Sequence, residues 1–489
     1  MKTISVGLIL AASLSGTFAQ TNAPTTRSLS LRDCLVEALK HNFDVQIETF
    51  GPQIAALNLK AAYAGYDPTF SLSGEHNHNH YGGLLTTNTL NFSDNNQFDS
   101  GLKGSLPTGT EYTLGGNVSK SYAGDDTSSG QVGLSVTQPL LKDFWIDGTR
   151  LKISVRKNDL KVSEQGLRKQ LIKTVTDVEE AYYELIFARE NVQVQQEALE
   201  LAQKQLSDDR QRVQIQVLAE RGGTIEQDEA QVAQSRANLI GAQFTLSSDE
   251  NVLKNLITDN YLQWHDLTIQ PAEALEAVRQ LLDVQDSWSK GMERRPELIQ
   301  AKLGLESQGF QLKYDWNQLF PQLDLNGSYG FNGAGSSFND SFNQAGAGNR
   351  PYYSYGAALS VPLSNVGARS AYKIDQATEK QLLLTLKQLE QTVMVEIDDA
   401  VKQVRSAWES LDATRKLRIA AEAALSAEQG KYAVGKSTTF TVLQLQNQVT
   451  SARSQEIRSL ADYNKALAEL AKKEGSTLER RQLDVQVKK

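Results

Sequence analysis

The feature that most constrains the fold is an internal duplication, in which matching residues recur at fixed spacings in the two halves of the chain. A first block recurs at an offset of 253 and pairs Asp44, Tyr63, Pro68 and Gly74 with Glu297, Trp316, Pro321 and Gly327. A second block recurs at an offset of 219 and pairs Gly148, Arg150 and Asp177 with Gly367, Arg369 and Glu396. One architecture built twice is therefore predicted. The drop from 253 to 219 places 34 extra residues in the first half.

Long segments of each half carry an apolar residue at every seventh position. In the first half these are Leu171, Val178, Leu185, Val192, Leu199, Leu206 and Val213, followed after a break at residues 220–223 by Ile225, Val232, Leu239, Leu246 and Leu253. The second half repeats the pattern with Ile397, Val404, Leu411, Leu425 and Tyr432, then Val442, Val449, Tyr463 and Leu470. Heptads of this kind predict long antiparallel helices joined by a tight turn. The narrow apolar seam predicts packing against further helices.

Short segments between the helical blocks alternate in polarity. Leu323, Leu325, Tyr329 and Phe331 alternate with polar residues, and residues 353–359 repeat the alternation. Aromatic residues in such a pattern are typical of barrel strands that face lipid. Residues 332–350 are rich in Gly, Ser and Asn and are predicted to form an extracellular loop. Because two strands per half cannot close a barrel, several chains must contribute.

The 34 extra residues resemble an additional hairpin. Residues 97–106 and 111–122 flank a turn at Pro107-Thr108-Gly109-Thr110. If both strands join the barrel, each chain supplies six strands rather than four, which gives eighteen in a trimer. The alternative is a hairpin that folds over the mouth of the barrel or into its lumen.

The N-terminus and the composition limit the location and class of the protein. Residues 1–19 are predicted to be a secretory signal peptide, because an apolar run follows Lys2 and small residues end at Ala19. The 50 Lys and Arg against 58 Asp and Glu give a net charge of −8, which argues against nucleic-acid binding. The single cysteine, Cys34, excludes an intrachain disulfide. No Ser/His/Asp arrangement indicates an enzyme.

Two motifs resemble ligand sites. His76, His78 and His80 share one face of a strand and could hold zinc or copper. The alignment of His76 and His78 with Tyr329 and Phe331 favours instead a position at the barrel rim. Residues 430–437 fit the phosphate-loop pattern, but a predicted helix precedes them where a nucleotide site needs a strand. We therefore expect no cofactor and no metal.

In the order and spacing of its motifs, nearly the whole mature chain resembles the outer membrane efflux protein family, the TolC-like channels. The motifs are residues 30–42 (SLRDCLVEALKHN), the pair 134–140 (LSVTQPL) and 359–363 (LSVPL), and 432–435 (YAVG). The resemblance implies a mainly α fold with transmembrane β structure: a homotrimer with a shared outer-membrane β-barrel and a long periplasmic tunnel of coiled-coil helical hairpins. It implies a periplasmic adaptor, an inner-membrane pump and outer-membrane lipid as partners.

The resemblance also points to residues of the periplasmic gate and tip. Tyr432 matches a tyrosine of the family. The two acids that follow this tyrosine in the family, and that ring the periplasmic entrance, are replaced here by Thr441 and Gln444. The acidic ring is therefore not expected at these two positions. Counting from Gly222 makes Asp228 the partner of Tyr432, whereas alignment by heptads puts Thr224 at that position. The resemblance implies adaptor docking at Val434, Gly435 and Lys436 and at Gly222 and Gly223, with Lys436 departing from the family turn.

The expected organisation follows from these patterns. The segments are a signal peptide (1–19), a helical segment (20–67), strands with the extra hairpin (68–140), a helical hairpin (141–257), an inter-repeat segment (258–290), a helix (291–319), strands (320–363), a second helical hairpin (364–474) and a polar tail (475–489). The expected function is the outer-membrane exit duct of a tripartite efflux or type I secretion system, which conducts substrate passively. The alternative is an exported coiled-coil structural or adhesive protein without a pore.

Overall fold

The computed structural model describes residues 26–80, 92–122, 127–214 and 224–483. The expected signal peptide lies outside the described residues, and so do Gly222, Gly223 and the last six residues of the expected tail. The chain divides into two compact units. The first unit comprises Met1–Asn42, Asp177–Ala277 and Leu411–Ala461, and the second comprises Phe43–Thr176, Val278–Ser410 and Asp462–Lys489.

The described residues form eleven α-helices and one 3₁₀ turn, Ala64–Tyr66. In chain order the helices are α1 (Leu31–His41), α2 (Phe43–Tyr63), α3 (Gly148–Gln214), α4 (Thr224–Ile257), α5 (Tyr261–Trp264), α6 (Val284–Arg294), α7 (Pro296–Asn317), α8 (Phe338–Gly346), α9 (Val366–Ala433), α10 (Thr439–Glu474) and α11 (Thr477–Arg480). The long helices α3 and α9 each precede a shorter partner helix, α4 and α10, as the heptads predict.

The described strands form two sheets. In chain order the strands are β1 (Thr26–Leu29), β2 (Thr69–His80), β3 (Phe92–Ser105), β4 (Glu111–Ser121), β5 (Thr127–Pro139), β6 (Thr268–Pro271), β7 (Gln322–Gly335) and β8 (Pro351–Ser360). The strands β1 and β6 form a small parallel pair in the first unit. The other six form one antiparallel sheet in the second unit, in the order β2-β3-β4-β5-β7-β8.

The core of the first unit is formed by heptad residues. Leu185, Leu253 and Ile257 are fully buried. Tyr182 is equally buried, and its hydroxyl donates to the carbonyl oxygen of Leu29 at 3.1 Å, which ties helix α3 to the β1–β6 pair. In the second hairpin the seams of α9 and α10 meet in one apolar cluster: Ala421, Leu425, Tyr432, Val442, Val449 and Ala452. The predicted heptad seams are therefore the packed surfaces of these helices.

The helices of the second unit pack closely where side chains are small. A Cβ atom at Gly291 of α6 would collide with Cδ1 of Ile397 in α9, so any larger residue here would force that buried side chain to move. Arg295 forms ion pairs with Glu297 and Glu396, and burial of this arginine to 12% exposure makes the pairs a fixed part of the packing. Within the same unit the hydroxyl of Tyr463 donates to the carbonyl oxygen of Val278 at 2.7 Å.

The six-stranded sheet has one apolar face and one polar face, which alternate from one residue row to the next. One row across all six strands consists of Phe70, Leu102, Leu114, Leu134, Tyr329 and Tyr353. The adjacent row, which points to the opposite face, consists of Thr69, Lys103, Thr113, Ser135, Ser328 and Ser354. Alternation of this kind in six strands at once gives the sheet two distinct environments. The apolar face is exposed at Phe70, Leu114 and Tyr353.

The extra residues of the first half are part of this sheet. Strands β3 and β4 pair with each other and lie between β2 and β5. The turn between them is tight, with Gly109 at a φ of 82° in the left-handed region that glycine adopts without strain. Of the two alternatives for the predicted hairpin, the structure therefore shows the one in which both strands join the sheet.

The segment predicted as an extracellular loop, residues 332–350, is more ordered than its composition suggested. Strand β7 continues to Gly335, and residues 338–346 form α8, which packs on the apolar face of the sheet. Ser337 caps this helix, because its hydroxyl accepts from the backbone N–H of Asp340 at 3.2 Å. The prediction of a plain loop was wrong because the Gly, Ser and Asn content concealed a capped helix with apolar residues on one face.

No helix among the described residues is both long and apolar enough to cross a membrane.

Candidate functional site

A buried group of acids and hydroxyls lies in the first unit, where α3 ends, α4 begins and the α9–α10 turn closes. We call it the tyrosine–aspartate cluster; its members are Asp209, Asp228, Tyr432 and Thr439. Both aspartates lie on the helical seams, since Asp209 follows Leu206 by three residues and Asp228 follows Ile225 by three. Acids at positions that normally bury apolar side chains are costly unless they are partnered. The cluster is therefore a specific arrangement and not a solvated helix face.

Asp209 accepts two hydroxyl groups from the second hairpin. The hydroxyl of Tyr432 lies 2.8 Å and 2.9 Å from the two carboxylate oxygens. The hydroxyl of Thr439 lies 3.2 Å from Oδ2 of Asp209 and 2.9 Å from the tyrosine hydroxyl. Asp209, Tyr432 and Thr439 are all buried. Hydrogen bonds to a charged acceptor are about twice as strong as neutral ones, so these contacts join α3 to the α9–α10 turn.

Asp228 completes the cluster from α4. Its side chain is 1% exposed, and no hydroxyl or N–H of the described residues donates to its two carboxyl oxygens. Burial, the negative charge of Asp209 and a hydrogen bond between the two carboxyl groups raise the pKa of Asp228 to about 7. Two close acids cannot both ionise cheaply, so one proton is shared. The neutral form of Asp228 is therefore favoured.

An ion pair flanks the cluster at the surface. Arg210 in α3 and Glu229 in α4, each next in sequence to a cluster aspartate, approach to 2.6 Å, and both side chains are about half exposed. Exposed pairs of this kind contribute little to stability. The strong link between α3, α4 and the second hairpin is therefore the buried cluster.

The structure brings together two of the four gate residues expected from the sequence. Tyr432 and Asp228 both meet at Asp209, whereas Thr224, the alternative to Asp228, is the first residue of α4. Thr441 is half-buried, and its hydroxyl lies 3.0 Å from that of Thr438. Gln444 is exposed. Thr441 and Gln444 are therefore placed apart from the hydrogen bonds of the cluster.

Sequence reasoning missed Asp209 and Thr439. The signal for Asp209 was present, because it lies three residues after the seam residue Leu206 and seven residues after the buried Ala202, at a heptad position that faces other helices. An acid at a buried heptad position calls for partners from other helices. Thr439 carried no comparable signal, since a threonine at the start of a helix is common.

The α9–α10 turn presents an exposed tip. Helix α9 ends at Ala433, and the backbone N–H groups of Gly435 and Lys436 donate to the carbonyl oxygens of Tyr432 and Lys431 at 3.0 and 2.9 Å. Gly435 has a φ of 75°, which closes the helix in the manner typical of a C-terminal glycine. Val434 is 69% exposed and Lys436 is exposed. The residues that resemble a phosphate loop are thus the last turn of a helix and the turn behind it.

The three histidines lie on the apolar face of the sheet at the end remote from the helices. Nδ1 of His76 lies 2.7 Å from Oδ1 of Asn96, and His78 pairs with Asp94. Across the described residues, no three His, Cys, Asp or Glu side chains are grouped so as to hold a metal ion. The position of the histidines agrees with the expected rim of the strands.

Comparison with known proteins shows which proteins this chain resembles. Residues 289–476 match the family model of the outer membrane efflux proteins. The outer membrane efflux protein BepC of Brucella suis biovar 1 (strain 1330) is 22% identical over 336 residues, which cover 68% of this chain and 69% of BepC. The CmeC outer membrane channel of Campylobacter jejuni has the same fold with a TM-score of 0.68 at 16% identity, over 96% of this chain and 93% of CmeC. The outer membrane protein VceC of Vibrio cholerae has the same fold with a TM-score of 0.66 at 16% identity, over 91% of this chain and 96% of VceC.

Proposed function

We propose that this chain, which matches the outer membrane efflux protein family over residues 289–476 and shares the fold of its channels, is the outer-membrane exit duct of a tripartite efflux or type I secretion system. Substrate would pass from an inner-membrane pump through a periplasmic tunnel and a β-barrel without chemical change. The protein is located in the outer membrane and extends into the periplasm. The observation that carries the proposal is the six-stranded sheet, whose apolar and polar faces suit lipid outside and water inside.

Barrel closure requires further copies of the chain, because β2 and β8 are the two edges of the sheet. In a homotrimer β8 of one copy pairs with β2 of the next. Six strands from each chain give eighteen, and a strand spacing of about 4.8 Å with a tilt of about 40° gives a diameter of about 36 Å. Four strands per chain would give about 24 Å by the same geometry. The extra hairpin thus supports a wider duct.

The lumen of this barrel is expected to favour cations. Among the described strand residues, the polar face carries the acids Glu75, Asp99, Glu111 and Asp324 against one lysine, Lys103. Three copies multiply the excess of negative charge. Fixed charge lining a pore raises the local concentration of the opposite ion.

The tyrosine–aspartate cluster is proposed to hold the periplasmic end closed. It joins α3 to the α9–α10 turn by buried hydrogen bonds and holds the buried Asp228 of α4 against Asp209, and the exposed turn lies beside it. Thr441 and Gln444 carry no charge, so closure here rests on these contacts and not on an acidic ring at those two positions. An adaptor that binds Val434, Gly435 and Lys436 would bind next to the cluster and release it. By the family resemblance the same adaptor also contacts Gly222 and Gly223, which lie outside the described residues.

Planar bilayers test the function directly. We expect the purified, heat-resistant trimer to insert and to give stepwise conductance that prefers cations. An exported coiled-coil structural or adhesive protein would give no conductance under the same conditions. Inserted, correctly assembled trimers without conductance would exclude the exit duct.

Disulfide cross-linking tests how the barrel closes. Cysteines at Ser71 or Ser73 in β2, each combined with one at Ser354 or Ala358 in β8, all point to the polar face. We expect at least one pair to link neighbouring chains into covalent trimers, because paired strands bring Cα atoms within disulfide range. The native Cys34 gives no background, since it is buried and burial raises its pKa to about 12.

The matched control for this experiment combines the cysteine at Ser71 with one at Ser135 in β5. Ser135 lies in the middle of the sheet, on the same polar face, and should not meet an edge strand of another chain. The proposal that β8 of one copy pairs with β2 of the next is contradicted if none of the edge pairs links chains more readily than this control pair.

A further inference from the structure

An apolar cavity of about 530 Å³ lies on the apolar face of the sheet beside α8. Its walls include Phe70, Leu72, Phe98, Leu114, Val118 and Val132 from the strands. Phe342, Ala345 and Gly346 of α8 form the opposite wall. We call this cavity the α8 groove. Its volume is in the range of sites that hold small ligands.

The helix that forms the groove is fixed against the sheet. Its Ser341 and Ala345 are buried, and a Cβ atom at Gly333 would collide with the backbone oxygen of Ser341. The ring of Phe338 packs edge-on against Phe98 with centroids 5.4 Å apart. Phe342 remains 66% exposed although it lines the groove. The groove therefore has rigid walls and an open apolar side.

Polar side chains border the groove at its outer end. One row beyond Phe98 and Val118 on the same face lie His76, Asn96 and Lys120 in neighbouring strands. The Lys120 ammonium lies 4.6 Å from the centroid of the Tyr122 ring. A change from apolar to cationic and aromatic side chains on a lipid-facing surface marks the level of the membrane interface.

The groove runs along the strands from Phe70, next to the helix connection at Thr69, toward Lys120 at the opposite end of the sheet. All four connections between the large sheet and the long helices, at Thr69, Pro139, Gln322 and Ser360, lie at one end of the sheet, and α8 lies toward the other. If the helices are periplasmic, as in the proposed function, Lys120 and the connection that contains α8 are at the extracellular end, so the Lys120 end of the groove faces the outer leaflet. The groove is then continuous with the lipid-facing surface of the barrel.

We propose that the α8 groove binds an acyl chain of a phosphorylated, multiply acylated lipid of the outer leaflet, with the lipid phosphate at Lys120. The inference rests on the proposed function, because it takes the apolar face as the lipid-facing one. A lipid is the expected occupant because the groove is continuous with the lipid-facing surface of the barrel. A phosphorylated lipid is expected because the Lys120 ammonium lies at the interface end of the groove. Helix α8 acts as an interfacial helix that holds the lipid against the barrel.

The test is native mass spectrometry of the delipidated trimer titrated with lipid A, with phosphatidylethanolamine in a parallel arm. We expect up to three tightly bound lipid A molecules per trimer. Ser100→Trp fills the groove from an exposed position in β3 and should weaken binding more than tenfold. Phe342→Ala, at an exposed position that leaves the sheet untouched, should weaken it severalfold. Lys120→Gln should weaken lipid A binding about fivefold.

The matched control is Ala357→Trp, which places the same side chain on the same face, in β8 and away from the groove. It should bind lipid A as the unchanged protein does. The proposal is overturned if Ser100→Trp and Phe342→Ala bind lipid A normally, or if phosphatidylethanolamine binds as tightly as lipid A. Conductance of the same preparations reports separately on the exit duct, so a conducting trimer without bound lipid rejects the groove alone.

Discussion

Replacing Leu134 with arginine is expected to prevent assembly of the trimer in the outer membrane. Leu134 lies in the apolar row that crosses all six strands, between Leu114 and Tyr329. An arginine at the lipid-facing midplane of a barrel costs about 2–4 kcal/mol per chain, and the trimer carries it three times. That loss is a large part of the stability of a typical domain. The measurement is the amount of heat-resistant trimer in outer-membrane fractions.

The neighbouring residue provides the control. Ser135→Arg places the same side chain one position along β5, on the polar face next to Thr113 and Ser328. We expect this variant to assemble and to shift the ion selectivity of the pore toward anions, because it adds positive charge to the lumen. Equal loss of trimer in both variants would contradict the assignment of the two faces.

Removing the Asp209 carboxylate is expected to open the periplasmic end. Asp209→Ala leaves the hydroxyls of Tyr432 and Thr439 without their buried charged acceptor. Hydrogen bonds of this type are worth about 1.5–3 kcal/mol each, so the closed state loses about 3 kcal/mol or more per chain. The ratio of closed to open channels should then fall on the order of 100-fold. Single-channel recordings measure this as the fraction of time open.

Two residues near the cluster that take no part in its hydrogen bonds serve as controls for the Asp209→Ala experiment. Thr441→Ala and Gln444→Ala remove side chains that are half-buried and exposed, away from Asp209, and should change the open fraction less than threefold. If these variants open the channel as much as Asp209→Ala does, closure depends on the tip as a whole and not on the cluster.

The same cluster predicts a dependence on pH. The closed state raises the pKa of Asp228 to about 7, above the value of about 3.9 for an exposed aspartate, so closure binds a proton. This contribution to closure is fully present below about pH 4 and is lost as pH rises to about 7. The open fraction should therefore increase from pH 5 to pH 7.5. Asp228→Asn, which is neutral throughout, should remain closed and show little of this change.

The periodic parts of the fold were predictable because periodicity reflects burial. The heptads of α3, α4, α9 and α10 predict which residues form the buried seams. The alternation in residues 323–331 predicts which residues lie on each face of β7. The offset between the repeats revealed the extra hairpin but not its place in the sheet. Pairing of β3 with β4 is compatible with both alternatives, whereas the place in the sheet depends on the pairing of β3 with β2 and of β4 with β5.

The parts that could not be predicted depend on contacts between distant segments. Helix α8 is stabilised by its cap at Ser337 and by packing on strands whose glycines permit close approach, and neither is a periodic signal. Asp209 and Tyr432 are 223 positions apart in sequence, so their hydrogen bond could not be inferred from either segment alone. The predicted pairing of Tyr432 with Asp228 named two of the four members and omitted the residue that joins them.

The order of strands in the sheet also determines the order in which the protein can fold. Strands β2 to β5 form a meander of hairpins whose partners are close in sequence, and they are available as soon as the first half is exported. The next contact joins β5 to β7, where Thr137 and Asn326 meet across 189 positions. Pairings this distant form slowly because a long loop must close first. During that interval the partial sheet exposes an apolar face and an unpaired β5 edge, the two kinds of surface through which strands aggregate.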